Sequence, residues 1–262
     1  MASETIKLLV TVKAYPALST KYGETVCVAG IQVDPPPLQW IRLFPVPFRT
    51  LPFEKRFKKY TVVSVDVTIP TTDRRPESRH ADPESFQVIE RWESTRDNWA
   101  RRLSVLSPLM KQSLCEIKRL QARDKSSLGI FKPAGITDFV MEPADSDWEP
   151  KKHLTRDQLN LIDNNHSALE KIPWEFRYRF RCEETGCDGH FVSSIDWELG
   201  GAYRNFMKRY PPARVPEMLR DKWFTEMCGP QKDTYFFVGN MHLRPRQFLV
   251  LGVVWPKRAN AS

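Results

Sequence analysis

Residues 5 to 70 carry their apolar side chains in short runs broken by turn material. Ile6 to Val12, Thr25 to Val33, Leu38 to Val46 and Tyr60 to Ile69 are rich in Val, Ile and aromatic residues, with Lys21-Tyr22-Gly23 and Asp34-Pro35-Pro36-Pro37 between them. Such residues fit a pleated, half-buried surface, so each run predicts a strand. In the last run Val63, Val65, Val67 and Ile69 alternate with Ser64, Asp66 and Thr68, which puts one face in a core and the other in water. Strands spaced this closely predict a small antiparallel barrel or curled sheet.

Residues 71 to 85 are polar, hold Pro76 and Pro83 and show no apolar period, which predicts an exposed connection. Helical spacing follows. One helix is predicted over about Thr95 to Leu106, and a second over Ser107 to Gln121. The second would have Ser107 as its N-cap, Pro108 in the first helical position, and Leu109, Met110, Leu114, Ile117 and Leu120 along one face. Residues 143 to 160 are again polar and mark a second boundary.

Beyond residue 170 the pattern changes to a strict period of two. Phe176, Tyr178 and Phe180 alternate with Arg177, Arg179 and Arg181, placing aromatics on one face of a strand and arginines on the other. Phe191 to Ile195 predicts the next strand. Asp196 is placed to cap a helix reaching about Tyr210, and a further helix spans about Pro216 to Met227. Thr234 to Val238 and Gln247 to Trp255 predict two last strands around a basic loop. The order strand, strand, helix, helix, strand, strand predicts an antiparallel sheet with helices on one side. The class read from the chain is α+β: a β-rich, antiparallel barrel-like domain over 1–80, a helical or mixed connecting region over 81–160, and an α+β domain built around a Cys/His zinc loop over 161–262.

Composition narrows the function classes. With 41% hydrophobic and 27% charged residues the chain has ordinary globular character, so folding needs no partner. Met1 to Lys7 lacks the basic start and apolar run of a secretory signal, and no stretch approaches the ~18 apolar residues of a membrane helix, so a cytoplasmic protein without membrane contact is expected. Five cysteines (Cys27, Cys115, Cys182, Cys187, Cys228) are too scattered for a disulfide scaffold, which turns attention to metal. A net charge of +8 and a pI near 9.3 attract polyanions.

Two groups of residues carry candidate chemistry. In Cys182-Glu-Glu-Thr-Gly-Cys187-Asp-Gly-His190 the loop can turn back so that thiolate and imidazole donors converge on one point, with Gly186 and Gly189 easing the turns. Zinc suits such ligands. A tetrahedral site needs a fourth, for which Cys228 is the first candidate and His166 the second. The other group is cationic. Arg42, Arg49, Lys55, Lys58 and Lys59 interleave with Phe44, Phe48, Phe53 and Phe57; Arg177, Arg179 and Arg181 line a strand face; and Arg244 and Arg246 lie in a loop after which no acid follows. Cations neutralise phosphates and flat rings stack on unpaired bases, so these positions point to DNA or RNA as partner, with other protein subunits in a larger assembly.

Catalytic signatures are sparse. No glycine-rich phosphate loop, Gly-x-Ser-x-Gly or His-Glu-x-x-His occurs. Asp97, Glu116 and Lys118 have nuclease-like spacing, but Glu116 and Lys118 point apart on a helix. A metal-dependent nuclease of the hairpin-plus-helix type, using His190, Asp196, Glu198 and Asn205, is one alternative function. A protein-interaction adaptor with an aromatic surface is another.

Overall fold

In the computed structural model the described residues are 3–19, 23–93, 97–145 and 171–258. Lys21 and Tyr22, the expected helix start at Thr95, most of the polar 143–160 stretch and His166 lie outside them. The chain divides into two compact units, one formed by residues 1–74, 78–91 and 143–174, the other by 75–77, 92–142 and 175–262. No helix among the described residues is long and apolar enough to cross a membrane.

The first unit is built from β1 (Glu4–Lys13), β2 (Ala17–Ser19), β3 (Gly23–Asp34), β4 (Gln39–Val46), β5 (Thr61–Thr68), β6 (Ser78–Ala81) and β7 (Gln87–Arg91). Strands β1, β3, β4, β6 and β5 follow one another round a closed five-stranded barrel, because β5 also pairs with β1. All of these pairings are antiparallel except β4 with β6. The second edge of β5 is shared: β6 takes its C-terminal end and β7 its N-terminal half. The alternation in β5 works as expected, with Val63, Val65 and Val67 essentially sealed from solvent against Ile6 and Leu8 of β1. Ile69, one residue past the strand, is 64% exposed. Between β1 and β3 the backbones approach so closely that a Cβ on Gly30 would lie 2.3 Å from the Leu9 carbonyl oxygen.

The second unit contains α1 (Ala100–Leu106), β8 (Met110–Lys111), α2 (Leu114–Asp124), β9 (Leu128–Phe131), β10 (Gly135–Pro143), β11 (Trp174–Arg181), β12 (His190–Ser194), α3 (Trp197–Arg209), α4 (Val215–Arg220, continued by a wider π-type turn over Asp221–Glu226), β13 (Tyr235–Met241) and β14 (Arg244–Val254). Its sheet runs β10-β11-β12-β14-β13-β9-β8. The expected antiparallel sheet is in fact mixed. β12 pairs parallel with β14, and β8 parallel with β9. The reason is that β13, arriving from α4, lies one place beyond β14 and turns back in a hairpin, so the later strand slots in beside β12. Residues Phe248 to Val254 are buried without a break, as an interior strand covered on both faces requires.

The middle of the chain also departs from expectation. Ser107, Pro108 and Leu109 form a 3-10 turn that closes α1, and Met110 and Lys111 leave it as β8. The second helix starts only at Leu114. Ser113 is its N-cap, accepting from the Glu116 amide at 2.8 Å, while the Glu116 carboxylate accepts from the Gln112 amide at 2.7 Å. Ser113 thus satisfies an amide that a helix start otherwise leaves open, while Glu116 reaches back past the cap to the residue before it. Asp196 caps α3 as the sequence suggested, accepting from the Glu198 amide at 3.0 Å.

Gly30→Ala is expected to destabilise the first unit by about 1–3 kcal/mol, because the new methyl group collides with backbone that cannot rotate away. Chemical denaturation of the full chain, followed by barrel tryptophan or hydrogen-exchange signals, checks this; an unchanged midpoint would contradict the close approach.

Candidate functional site

The site begins with β11. Phe176, Tyr178 and Phe180 are buried, with Arg177 half-exposed and Arg179 and Arg181 open to solvent, so the period-two reading holds along the strand. The buried rings join a continuous aromatic core: Tyr178 lies 4.7 Å from Phe236 and 4.9 Å from Phe139, and Phe180 lies 5.4 Å from Phe236 (all centroid distances). Cys182 continues the buried parity just past the strand end and is 6% exposed. The chain then turns through Gly186 and Gly189, at φ of 84° and 93°, a backbone region that favours glycine. It returns as β12, which sets His190 directly opposite Phe180.

Three of the four donors expected from the sequence come together here. His190 Nε2 lies 3.3 Å from Cys182 Sγ and 3.4 Å from Cys187 Sγ. The fourth position is filled by Cys115, 3.4 Å from the same nitrogen, and the four donor atoms all lie within 4.8 Å of one another. A tetrahedral ion bonded to sulfur at about 2.3 Å and to nitrogen at about 2.0–2.1 Å holds those donors about 3.5 Å apart, so the spacing suits a metal. Cys228 is elsewhere: its thiol donates to the Trp223 carbonyl at 3.3 Å at the end of the π-type turn, and burial pushes it up to about 12. Cys115 replaces it because α2 starts at Leu114, which puts Cys115 in the first turn, facing the loop.

Backbone amides prepare the sulfurs for negative charge. The Cys182 amide donates to Cys187 Sγ at 3.4 Å and the Gly189 amide also serves that sulfur, which lowers its pKa. The amides of Cys115 and Leu114, at the start of α2, serve Cys182, although burial still raises that thiol. Burial and the neighbouring Cys182 and Cys187 push Cys115 up to about 12. A divalent cation reverses this crowding penalty, since a coordinating thiol is deprotonated outright. Burial, with Lys118 second, lowers the His190 pKa and keeps the imidazole neutral, the form that ligates.

A second link joins the same two elements. Arg119 of α2 forks onto Glu184 of the loop at 2.7 and 3.0 Å, and the Ser113 hydroxyl donates to the same carboxylate. These contacts, Arg119 first, hold Glu184 down to about 2. The Arg119 side chain is 63% exposed, so solvent screens the pair and its value lies in orienting the loop.

The predicted cations sort into three groups. Arg42 and Lys59 are buried, 4% and 5% exposed, with the Arg42 guanidinium on the Cys27 sulfur, so neither can meet a polyanion at the surface. Arg49 is paired with Glu24 at 2.8 Å, Lys55 with Glu84 at 2.7 Å, and Arg177 with Glu175 at 2.5 Å and Glu142 at 3.2 Å. Lys58, Arg179, Arg181, Arg244 and Arg246 are exposed, and among the described residues none of them forms an ion pair. Of the ring residues in the barrel segment, Phe48 and Phe57 are core, packed at 5.0 Å, while Phe53 is 86% exposed. The open charge therefore concentrates on the second unit. Phe191, not singled out from the sequence, sits opposite Arg179 on this face and is 38% exposed. Its signal was its odd place in β12, out of phase with buried Val192.

Residues 110–262 match DUF8757, a domain of unknown function, and residues 4–108 match a second such domain, DUF8758. The chain belongs to the DUF8757 family. No curated protein matches it.

Protein prepared without chelator is expected to carry one metal ion per chain. Cys115→Ser and Cys182→Ser should lose it and melt at lower temperature, whereas Cys228→Ser should retain it. Metal analysis paired with thermal melts decides between Cys115 and Cys228 as fourth ligand. Glu184→Gln, which weakens the grip of Arg119 on the loop, should speed metal transfer to a chelator by about tenfold.

Proposed function

We propose that this member of the DUF8757 family is a zinc-stabilised nucleic-acid-binding protein that works within a larger nucleoprotein assembly. Three sulfurs and one imidazole in a closed, tetrahedral arrangement are the ligand set of structural zinc sites, and hard cations such as Mg²⁺ prefer oxygen. Zinc here would tie α2 to the β11–β12 hairpin and stabilise the unit, with no open position for a substrate.

The observation that carries the nucleic-acid reading is the pair Arg179 and Arg181, exposed and without ion pairs on the outer face of a strand whose inner face is locked in the aromatic core. Cations set on a fixed strand backbone start from a defined position, and their open guanidiniums can neutralise phosphates. Arg244 and Arg246, at the exposed start of β14, add charge of the same sign. Two of the four residues of the nuclease alternative are otherwise engaged. His190 faces three sulfurs, and the 3%-exposed Asp196 spends its carboxylate capping α3.

Binding should fall steeply with salt, by about 0.9 in log K per log salt for each phosphate contact on duplex and about 0.7 on single strands. Arg179→Ala/Arg181→Ala is expected to make that slope shallower by about two contacts. Lys111→Ala/Arg123→Ala removes equal charge from the far sheet edge and from α2, and should leave the slope unchanged. Equal losses in both variants would indicate diffuse attraction without a site, and no binding by the wild type at roughly 50 mM salt would remove nucleic acid from the account.

A further inference from the structure

We infer that the β11–β12 face is a stacking platform, and that the nucleic acid it takes is single-stranded; this rests on the nucleic-acid reading above and names its substrate class. The Phe191 ring lies on the same face as the three arginines, directly across from Arg179 and diagonal to Arg177, which pairs with Ser193. The guanidinium carbon of Arg179 is 4.6 Å from the ring centroid and that of Arg177 is 5.1 Å from it. Both guanidiniums thus lie over the ring, and the three side chains make one cationic surface. Arg177 is tethered to it by Glu175 and Glu142, which leaves Arg179 and Arg181 as the cations open to phosphate.

The surface is also held still. His190, the residue before Phe191, is fixed among the sulfurs of Cys115, Cys182 and Cys187, and the strand beneath is anchored by Phe176, Tyr178 and Phe180. A large aromatic side chain in the outward phase of such a strand is expensive to leave in water. Here the guanidiniums of Arg177 and Arg179 lie against it, and 38% of it stays exposed.

The geometry separates two kinds of ligand. A duplex has its bases stacked inside, so against a broad sheet face it can offer only phosphates, and Phe191 would contribute nothing. A single strand can place an unpaired base on the ring or on a guanidinium plane while its phosphates reach Arg179 and Arg181. One stacked base strengthens binding about tenfold. The preference for single strands therefore resides in the ring, and the salt dependence in the arginines.

The test measures fluorescence anisotropy of the full-length, metal-loaded protein with labelled oligo(dT), oligo(U) and a duplex of the same length, at several salt concentrations. The expected results are tighter binding to the single strands, about tenfold weakening on single strands alone for Phe191→Leu with the salt slope kept, and retained affinity for Phe191→Trp. Metal content and melting temperature confirm that each variant is folded. Ultraviolet cross-linking of wild-type protein to oligo(dT) needs no variant, and its adduct should map to the tryptic peptide 182–204 that contains Phe191. Equal affinity for single strand and duplex, equal weakening of both by Phe191→Leu, or an adduct confined to other peptides would overturn the platform while leaving nucleic-acid binding in place. Absence of binding to all three probes would overturn the underlying reading itself.

Discussion

Three sulfurs and one imidazole nitrogen, brought within 4.8 Å of one another by two elements far apart in the chain, are the constraint on which the second unit depends. So many electron pairs cannot stay close unless protons or a cation offset them. The protein goes some way by aiming amides of Leu114, Cys115, Cys182 and Gly189 at the sulfurs. Hydrogen bonds of this kind favour the thiolate, but burial still raises Cys115 and Cys182, a conflict that a metal ion in the cluster would resolve. The link is long-range, since Cys115 lies on α2 and the other donors on the β11–β12 hairpin, so closing it removes a large loop from the freedom of the unfolded chain.

From that centre the geometry extends outward through one strand. Tyr178 and Phe180 bury their rings in the core and their neighbours point the other way, so the positions of Arg179 and Arg181 are inherited from the core. Phe191 inherits its position from His190 in the same manner. The Cys/His cluster and the cationic face are in this sense two sides of one hairpin: what fixes the inner face orders the outer one, without touching it.

The barrel shows why total charge misleads. Lys13 is 5% exposed, donates to the Phe57 carbonyl at 3.1 Å and lies 4.1 Å from the centroid of the Phe48 ring. Arg42 and Lys59 are buried as well. Cations held this way satisfy carbonyls and ring faces inside the unit and add little to the field outside. A segment dense in Arg, Lys and Phe can therefore turn part of its charge inward, as residues 40 to 60 do with Arg42 and Lys59, while Lys58 and Phe53 stay exposed.

Much of this was legible in the chain because it depends on local geometry. Alternation in Val63 to Val67 and in Phe176 to Arg181 follows from the two-residue period of a strand, whichever sheet the strand joins. The convergence of Cys182, Cys187 and His190 follows from a short loop with two glycines, and the Asp196 cap from an acid standing just before a helix. The Ser113 cap, in the pattern Ser113-x-x-Glu116, was equally local and would have moved the start of α2, and with it Cys115, into view. Tertiary structure alone decided that Cys115 rather than Cys228 completes the donor set, that β14 rather than β13 lies beside β12, and that Arg42 and Lys59 turn inward while Arg179 and Arg181 stay open. Those outcomes depend on which distant surfaces meet, and residue spacing carries no record of partners separated by tens of residues.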